Sequence, residues 1–293
     1  MPFVYKELTV SGSRADTEGT AKFIQEAKLF LEEAGWTTFD DQSTAVAGSH
    51  LITFSSNGED NTLPTFYIVL NSGTTAAQNS NIVSLQVATN WDAGAHDEGS
   101  GIIAPTTKIA QASIDGDSNG DFNLWMSGDS QGVVFVTRNL STQYDSVCIG
   151  RANQFHTLAD DTHPLYINGG TGAAIIVENT VNVRGIVGNP PRSLNASSEG
   201  EIQSLAFATA NQPYNLGSVT SVFFAQPLIF IADDPSPIRK GYIGTLRNAW
   251  GGAGTSAGML QEGTLVASGT DFGEQVYRAF TVSTVDSLII RQS

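Results

Sequence analysis

The chain has 293 residues, 14 basic against 29 acidic side chains, a net charge of −15 and a single cysteine. So few and so scattered Lys and Arg exclude a phosphate-neutralising nucleic-acid binder, and 40% hydrophobic content excludes a disordered chain. Ser and Thr number 28 each and together outnumber the charged residues, while one cysteine permits no internal disulfide.

MPFVYKELTV lacks a basic stretch followed by an apolar run, so no signal peptide is expected. No 18-residue apolar stretch suggests a bilayer span. The first clear element is a helix over 17–34. Phe23, Ile24, Ala27, Phe30, Leu31 and Ala34 recur on one face at helical spacing. Asp16 or Thr17 can cap its start, and Gly35 suits the position just past its end. Its apolar face requires a sheet or a second helix to lie against.

After Gly35 the chain reads as strand. Short β-rich runs at Leu51–Ser55, Thr65–Leu70, Asn81–Thr89, Phe122–Met126, Gly132–Arg138 and Ser146–Gly150 are bounded by Asn, Gly, Ser and Pro. NLWMSGDSQGVVFVTR predicts a hairpin with its loop over Gly128–Gly132. Later runs fall at Ala173–Val177, Thr180–Ile186, Ser218–Phe224, Leu228–Ala232, Thr264–Ala267, Val276–Val282 and Ser287–Arg291. The fold class is mainly β with a small α+β N-terminal part, one amphipathic helix followed by antiparallel sandwich or barrel strands. A division into an α+β part over 1–100, a central β part over 101–188 and a C-terminal β part over 189–293 follows, the last two able to form one continuous domain. Gly188–Ser193 and Asp233–Pro237 read as linkers, and Trp250–Gly258 as a long flexible surface loop. Residues 1–151 carry −11 and residues 152–293 only −4, so the second half is the better place for a partner surface.

Chemistry-bearing patterns are sparse. Asp115, Asp117, Asn119 and Gly120 match the first half of a calcium loop. Its twelfth position falls on Met126, which cannot ligate, so the motif reads as a turn and only weakly as a metal site. The acidic pairs Asp40-Asp41, Asp160-Asp161 and Asp233-Asp234 sit beside turn formers and read as solvated turns. Glycoside cleavage would need two carboxyl groups about 5–9.5 Å apart across a substrate. The histidines His50, His96, His156 and His163 lie in no metal or triad spacing, and no phosphate-cradling loop or nucleophile elbow is present. Gly169, Gly170 and Gly172 lead into a strand and open no helix. No cofactor is expected. Trp36 and Trp125 read as core, whereas Trp91 and Trp250 sit by loops and are the candidate contacts for a ligand or partner.

Several pieces, taken in order, carry a resemblance: the helix ending in EEAGW, TFYIVLNSG with NIVSLQVATNWDAG, DFNLWMSGDSQGVVFVTRNLSTQYDSVCIGR, GYIGTLRNAW and the terminal VYRAFTVSTVDSLIIR. Over roughly residues 17–291 the series resembles a group of tailed-bacteriophage virion structural proteins. The chain departs from the group's pattern at Ser130-Gln131, where a basic pair is usual, and in its longer Gly251–Gly258 run. The resemblance implies a non-enzymatic tail or baseplate subunit, located in the virion, that contacts other virion proteins as a homo-oligomer, trimer or ring, with no nucleic-acid or membrane partner. It carries over no catalytic residue. The alternatives are a capsid decoration protein, a module binding host surface glycan through Trp91 or Trp250, and, third, a depolymerase using Asp160 or Asp234.

Overall fold

The computed structural model describes residues 3–10, 18–43, 50–58, 61–72, 82–88, 90–97, 111–113, 122–138, 144–154, 165–170, 184–187, 192–193, 200–203, 223–225, 228–232, 240–253, 263–269, 273–281 and 286–292. The chain runs β1 (Val4–Val10), α1 (Glu18–Glu33), β2 (Thr37–Asp41), β3 (His50–Ser56), β4 (Phe66–Ser72), β5 (Ile82–Ala88) and β6 (Gln111–Ser113). It continues through β7 (Phe122–Asp129), β8 (Gly132–Arg138), β9 (Tyr144–Arg151), β10 (Asn153–Gln154), β11 (Leu165–Gly170), β12 (Arg184–Val187), β13 (Arg192–Ser193) and β14 (Gly200–Gln203). The last third supplies β15 (Phe223–Ala225), β16 (Leu228–Ala232), β17 (Lys240–Thr245), β18 (Ala249–Ala253), β19 (Gly263–Gly269), β20 (Gly273–Thr281) and β21 (Asp286–Arg291). The protein is mainly β, and its ladders are antiparallel throughout the described residues.

Four sheets form. A seven-stranded sheet has the order β1-β7-β8-β9-β11-β12-β13, and a five-stranded sheet runs β2-β3-β4-β5-β6. A second five-stranded sheet runs β15-β18-β21-β20-β19, and a four-stranded one runs β10-β17-β16-β14. The seven-stranded sheet lies at the centre because successive side chains of a strand point to opposite faces. Leu124 and Met126, Val133 and Phe135, and Val147 and Ile149 enter one core with Phe23, Ile24, Phe30 and Leu31 of α1. The sheet of β2 to β6 joins that core through residues such as Ile52, Phe54, Ile68, Leu70 and Leu85. The intervening Trp125, Val134, Val136 and Cys148 enter a second core with Leu246, Phe280, Leu288 and Ile290. Burial on both faces explains the unbroken apolar run Val133–Val136, where a sheet with one wet face would alternate.

α1 ends as its sequence requires. Gly35 takes φ 93°, its amide donates to Glu32 O at 3.1 Å, and the Trp36 amide donates to Leu31 O at 2.9 Å. This paired closure satisfies the last carbonyls of the helix and turns the chain directly into β2. The helix face read from the sequence is fully buried, and Phe23 and Phe30 meet Phe135 at ring distances of 5.7 and 6.1 Å.

Several expectations are corrected. Trp250–Ala253 is no loop: it belongs to β18, which pairs with β21 from Ala249↔Ile290 to Ala253↔Asp286. Residues 254–258 lie outside the described residues, as do Asp233–Pro237 and Ala173–Val177. Arg192 and Ser193, read as linker, pair with β12. Gly169 and Gly170 close β11 opposite Val147 and Ser146. β1 joins the central sheet, pairing with β7 from Val4↔Gly128 to Val10↔Phe122. The central sheet therefore draws strands from all three segments, 1–100, 101–188 and, through β13, 189–293.

Candidate functional site

The densest polar arrangement surrounds the turn between β7 and β8. Its own polarity comes from Asp129, whose Oδ1 accepts the amides of Gln131 and Gly132 at 2.8 and 3.1 Å, an Asx turn. The four carbonyls from Asp129 to Gly132 are each taken by a different segment. Trp36 Nε1 donates to Asp129 O at 2.9 Å, and Ser56 Oγ donates to Ser130 O. The Arg151 amide donates to Gln131 O at 2.8 Å, and Asn248 Nδ2 donates to Gly132 O at 2.8 Å. Asn248 adopts φ 58°, a left-handed conformation that Asn tolerates better than most residues.

Close approach makes glycine necessary here. A Cβ on Gly150 would lie 2.6 Å from Gln131 O, and one on Gly128 would lie 2.4 Å from Gly132 O. Ser130 itself is buried. The turn is a junction at which β2, β3, β9 and the start of β18 are fixed to one another.

Arg151 closes the junction from below. Its guanidinium is buried, donates through Nη2 to Ser56 O at 3.2 Å and to Pro64 O, and lies 4.5 Å from the Phe66 ring centroid. Burial, then the neighbouring Arg247, pushes its pKa down to about 10, so it stays charged at neutral pH. Arg247 Nε donates to Arg151 O at 3.0 Å, and the Arg247 amide donates to Tyr166 Oη at 2.9 Å. Cys148 lies against the same phenol, Sγ to Oη 3.7 Å, and burial pushes its thiol up to about 12. A thiol so held is almost entirely un-ionised at neutral pH and is no nucleophile.

A second cluster lies at the end of β2. Asp40 Oδ2 accepts Trp91 Nε1 and His96 Nδ1, both at 2.9 Å, and its Oδ1 accepts Gln42 Nε2 at 3.1 Å. Burial pushes the Asp40 pKa up, but the hydrogen bonds from Trp91, His96 and Gln42 outweigh it and leave it below the usual 3.8. An ionised carboxylate only accepts, so His96 carries a proton on Nδ1. His96 is held at φ 56° in a turn that Asp92 closes by accepting the amides of Gly94 and Ala95. The pair can orient an imidazole and hold a proton. Among the described residues no Ser, Thr or Cys side chain meets its free nitrogen, so it forms no triad there.

The predicted site residues fare unequally. Trp91, expected to be exposed, is only 6% exposed, its indole committed to Asp40. Trp250 is half-buried with its ring edge-on to Tyr277 at 5.1 Å. Asp40-Asp41 is no solvated turn: Asp40 is buried, and Asp41 takes Lys28 Nζ at 2.7 Å. Asp115, Asp117 and Asn119 lie outside the described residues, as do Asp160-Asp161 and Asp233-Asp234. The described residues contain no group of three metal-ligating side chains and no helix long and apolar enough to cross a membrane. Sequence reasoning missed the turn junction and the Asp40–His96 pair, whose partners stand 20 to 119 and 56 residues apart. No protein-family model and no curated protein matches the chain.

Proposed function

We propose that the protein is a non-enzymatic structural subunit of a tailed-phage virion, in the tail or baseplate, acting through interfaces with neighbouring proteins and with copies of itself. One observation carries the reading. Three of the pieces that give the sequence its resemblance converge on one buried junction: Gly35-Trp36, Gly128-Asp129 with Gly150-Arg151, and Arg247-Asn248. Their polar groups are spent on holding layers together, as a load-carrying part needs. The charge-poor, hydroxyl-rich composition agrees, because the centres of permanent interfaces are depleted in Lys, Glu and Asp.

The test has two arms. Sedimentation of the recombinant protein should give a mass above one chain, and mass spectrometry of purified particles should contain its peptides. A strict monomer that is absent from particles overturns the reading. Antibody labelling spread over the capsid shell would replace the tail assignment with that of a decoration protein.

A further inference from the structure

Among the described residues the four sheets present eight edges, and seven of them are blunted in the ways that prevent strand addition. β13 and β10 have two residues each, β6 and β15 three, and β14 four including Glu201. β2 is bulged between Thr38 and Asp40 and ends in two acids. β1 is long but carries Lys6 paired with Glu33 at 3.0 Å and Glu7 paired with Arg278 at 2.6 Å.

β19 is the exception. It has seven residues, GTLVASG, with no charge and no proline, in unbroken register with β20 and with no second neighbour among the described residues. Its sequence is also nearly the same read in either direction about Val266. An antiparallel two-fold pairing sets Gly263 opposite Gly269, Thr264 opposite Ser268, Leu265 opposite Ala267 and Val266 opposite itself. Small meets small, hydroxyl meets hydroxyl, and apolar meets apolar. The nearest acids, Glu262 and Asp271, fall beyond the ends and never oppose each other. Self-complementarity is what an isologous contact requires.

We propose that β19 is a homophilic edge, pairing antiparallel with β19 of a second copy about a two-fold axis at Val266. The two five-stranded sheets then form one sheet of ten strands. The proposal rests on the homo-oligomeric part of the function proposed above and not on location in a particle. A trimer or ring needs a further surface beyond this one.

Cysteine scanning under a mild oxidant tests it, because Cys148 is buried and silent. Directly opposed antiparallel residues have Cα atoms about 4.5–5.5 Å apart, within the disulfide range of about 4.4–6.8 Å. Val266→Cys should give a reducible covalent dimer. Thr264→Cys alone should not, since its copy lies four residues along, about 13 Å away. Thr264→Cys with Ser268→Cys should restore the dimer. By sedimentation, Val266→Lys should release the pairing that Val266→Thr keeps, with circular dichroism checking the fold. If Val266→Lys does not fold, the cysteine series decides alone. No dimer from Val266→Cys, or equal dimer from Thr264→Cys, overturns the proposal. An oligomer lacking the Val266 cross-link removes this edge and leaves the homo-oligomeric reading standing, whereas a covalent dimer from a protein absent from particles keeps the edge and removes the virion assignment.

Discussion

The two faces of the central sheet use the same strands and differ in chemistry. Toward α1 the side chains are aliphatic or Phe, and the contact is made by a helix only about a hundred residues away. Toward β18, β20 and β21 Trp125, Tyr144, Tyr166 and Cys148 join Val134 and Val136, with charged and hydroxyl groups at the margin. There Arg278 lies 5.3 Å from the Trp125 ring and donates to Glu7, and Ser127 Oγ donates to Arg291 O at 2.8 Å. The first face needs volume and little else. The second, assembled from the far end of the chain, adds directional bonds that fix the register of late strands.

The contrast can be broken at five places. Phe135→Ala, on the helix face, should cost about 3–5 kcal/mol, because it removes a buried ring between Phe23 and Phe30 and leaves a cavity. Urea unfolding should show it as a lower midpoint at unchanged slope. Gly150→Ala, at the junction of the two faces, should cost about 1–3 kcal/mol by overpacking against Gln131 O. Replacing Gln131 by another residue should not rescue it, since the clash is with backbone.

Two buried tryptophans sharpen the difference further. Trp36→Phe should cost about 1–3 kcal/mol, because Asp129 O loses its donor inside the junction. Trp125→Phe should cost less than about 1.5 kcal/mol, because Trp125 Nε1 has no hydrogen-bond partner among the described residues. Thermal melts of the pair decide it, and equal losses would mean that ring volume alone matters at both sites.

The smallest effect is pH-dependent. Asp40→Asn turns an amide toward at least one of three donors and should cost about 1 kcal/mol at neutral pH. Because the Asp40 pKa is lower folded than unfolded, its contribution is present above about pH 3.8 and fades as pH falls through the folded value. Wild-type and variant melting temperatures should therefore converge in acid.

What could be read from the sequence follows sequence distance. α1 showed in its own periodicity and its Gly35 stop, and β8 matched Gly132–Arg138 because a doubly buried strand is a plain apolar run. β2 did not show, since TTFDD is a short polar edge with Phe39 exposed. β18 was hidden by its glycines, which read as a loop until β15 and β21 are seen on either side. Neither the four-fold capture of the turn carbonyls nor the Asp40–His96 pair leaves a local signal. Backbone carbonyls are invisible in sequence, and Trp91 and His96 meet Asp40 only after the three intervening strands β3, β4 and β5 have folded back.

The pairing of β1 with β7 sets a clock on synthesis. Thr9 meets Asn123, 114 residues later, through a side-chain bond at 3.0 Å. At roughly 5–20 residues per second, a ribosome takes on the order of ten seconds to deliver that partner. Throughout that interval β1 has no ladder to join, and the apolar stripe of α1 lacks half the core it will enter. The emerging chain must therefore be shielded or wait, and β1, made well before β7, finds its place only once β7 has followed it.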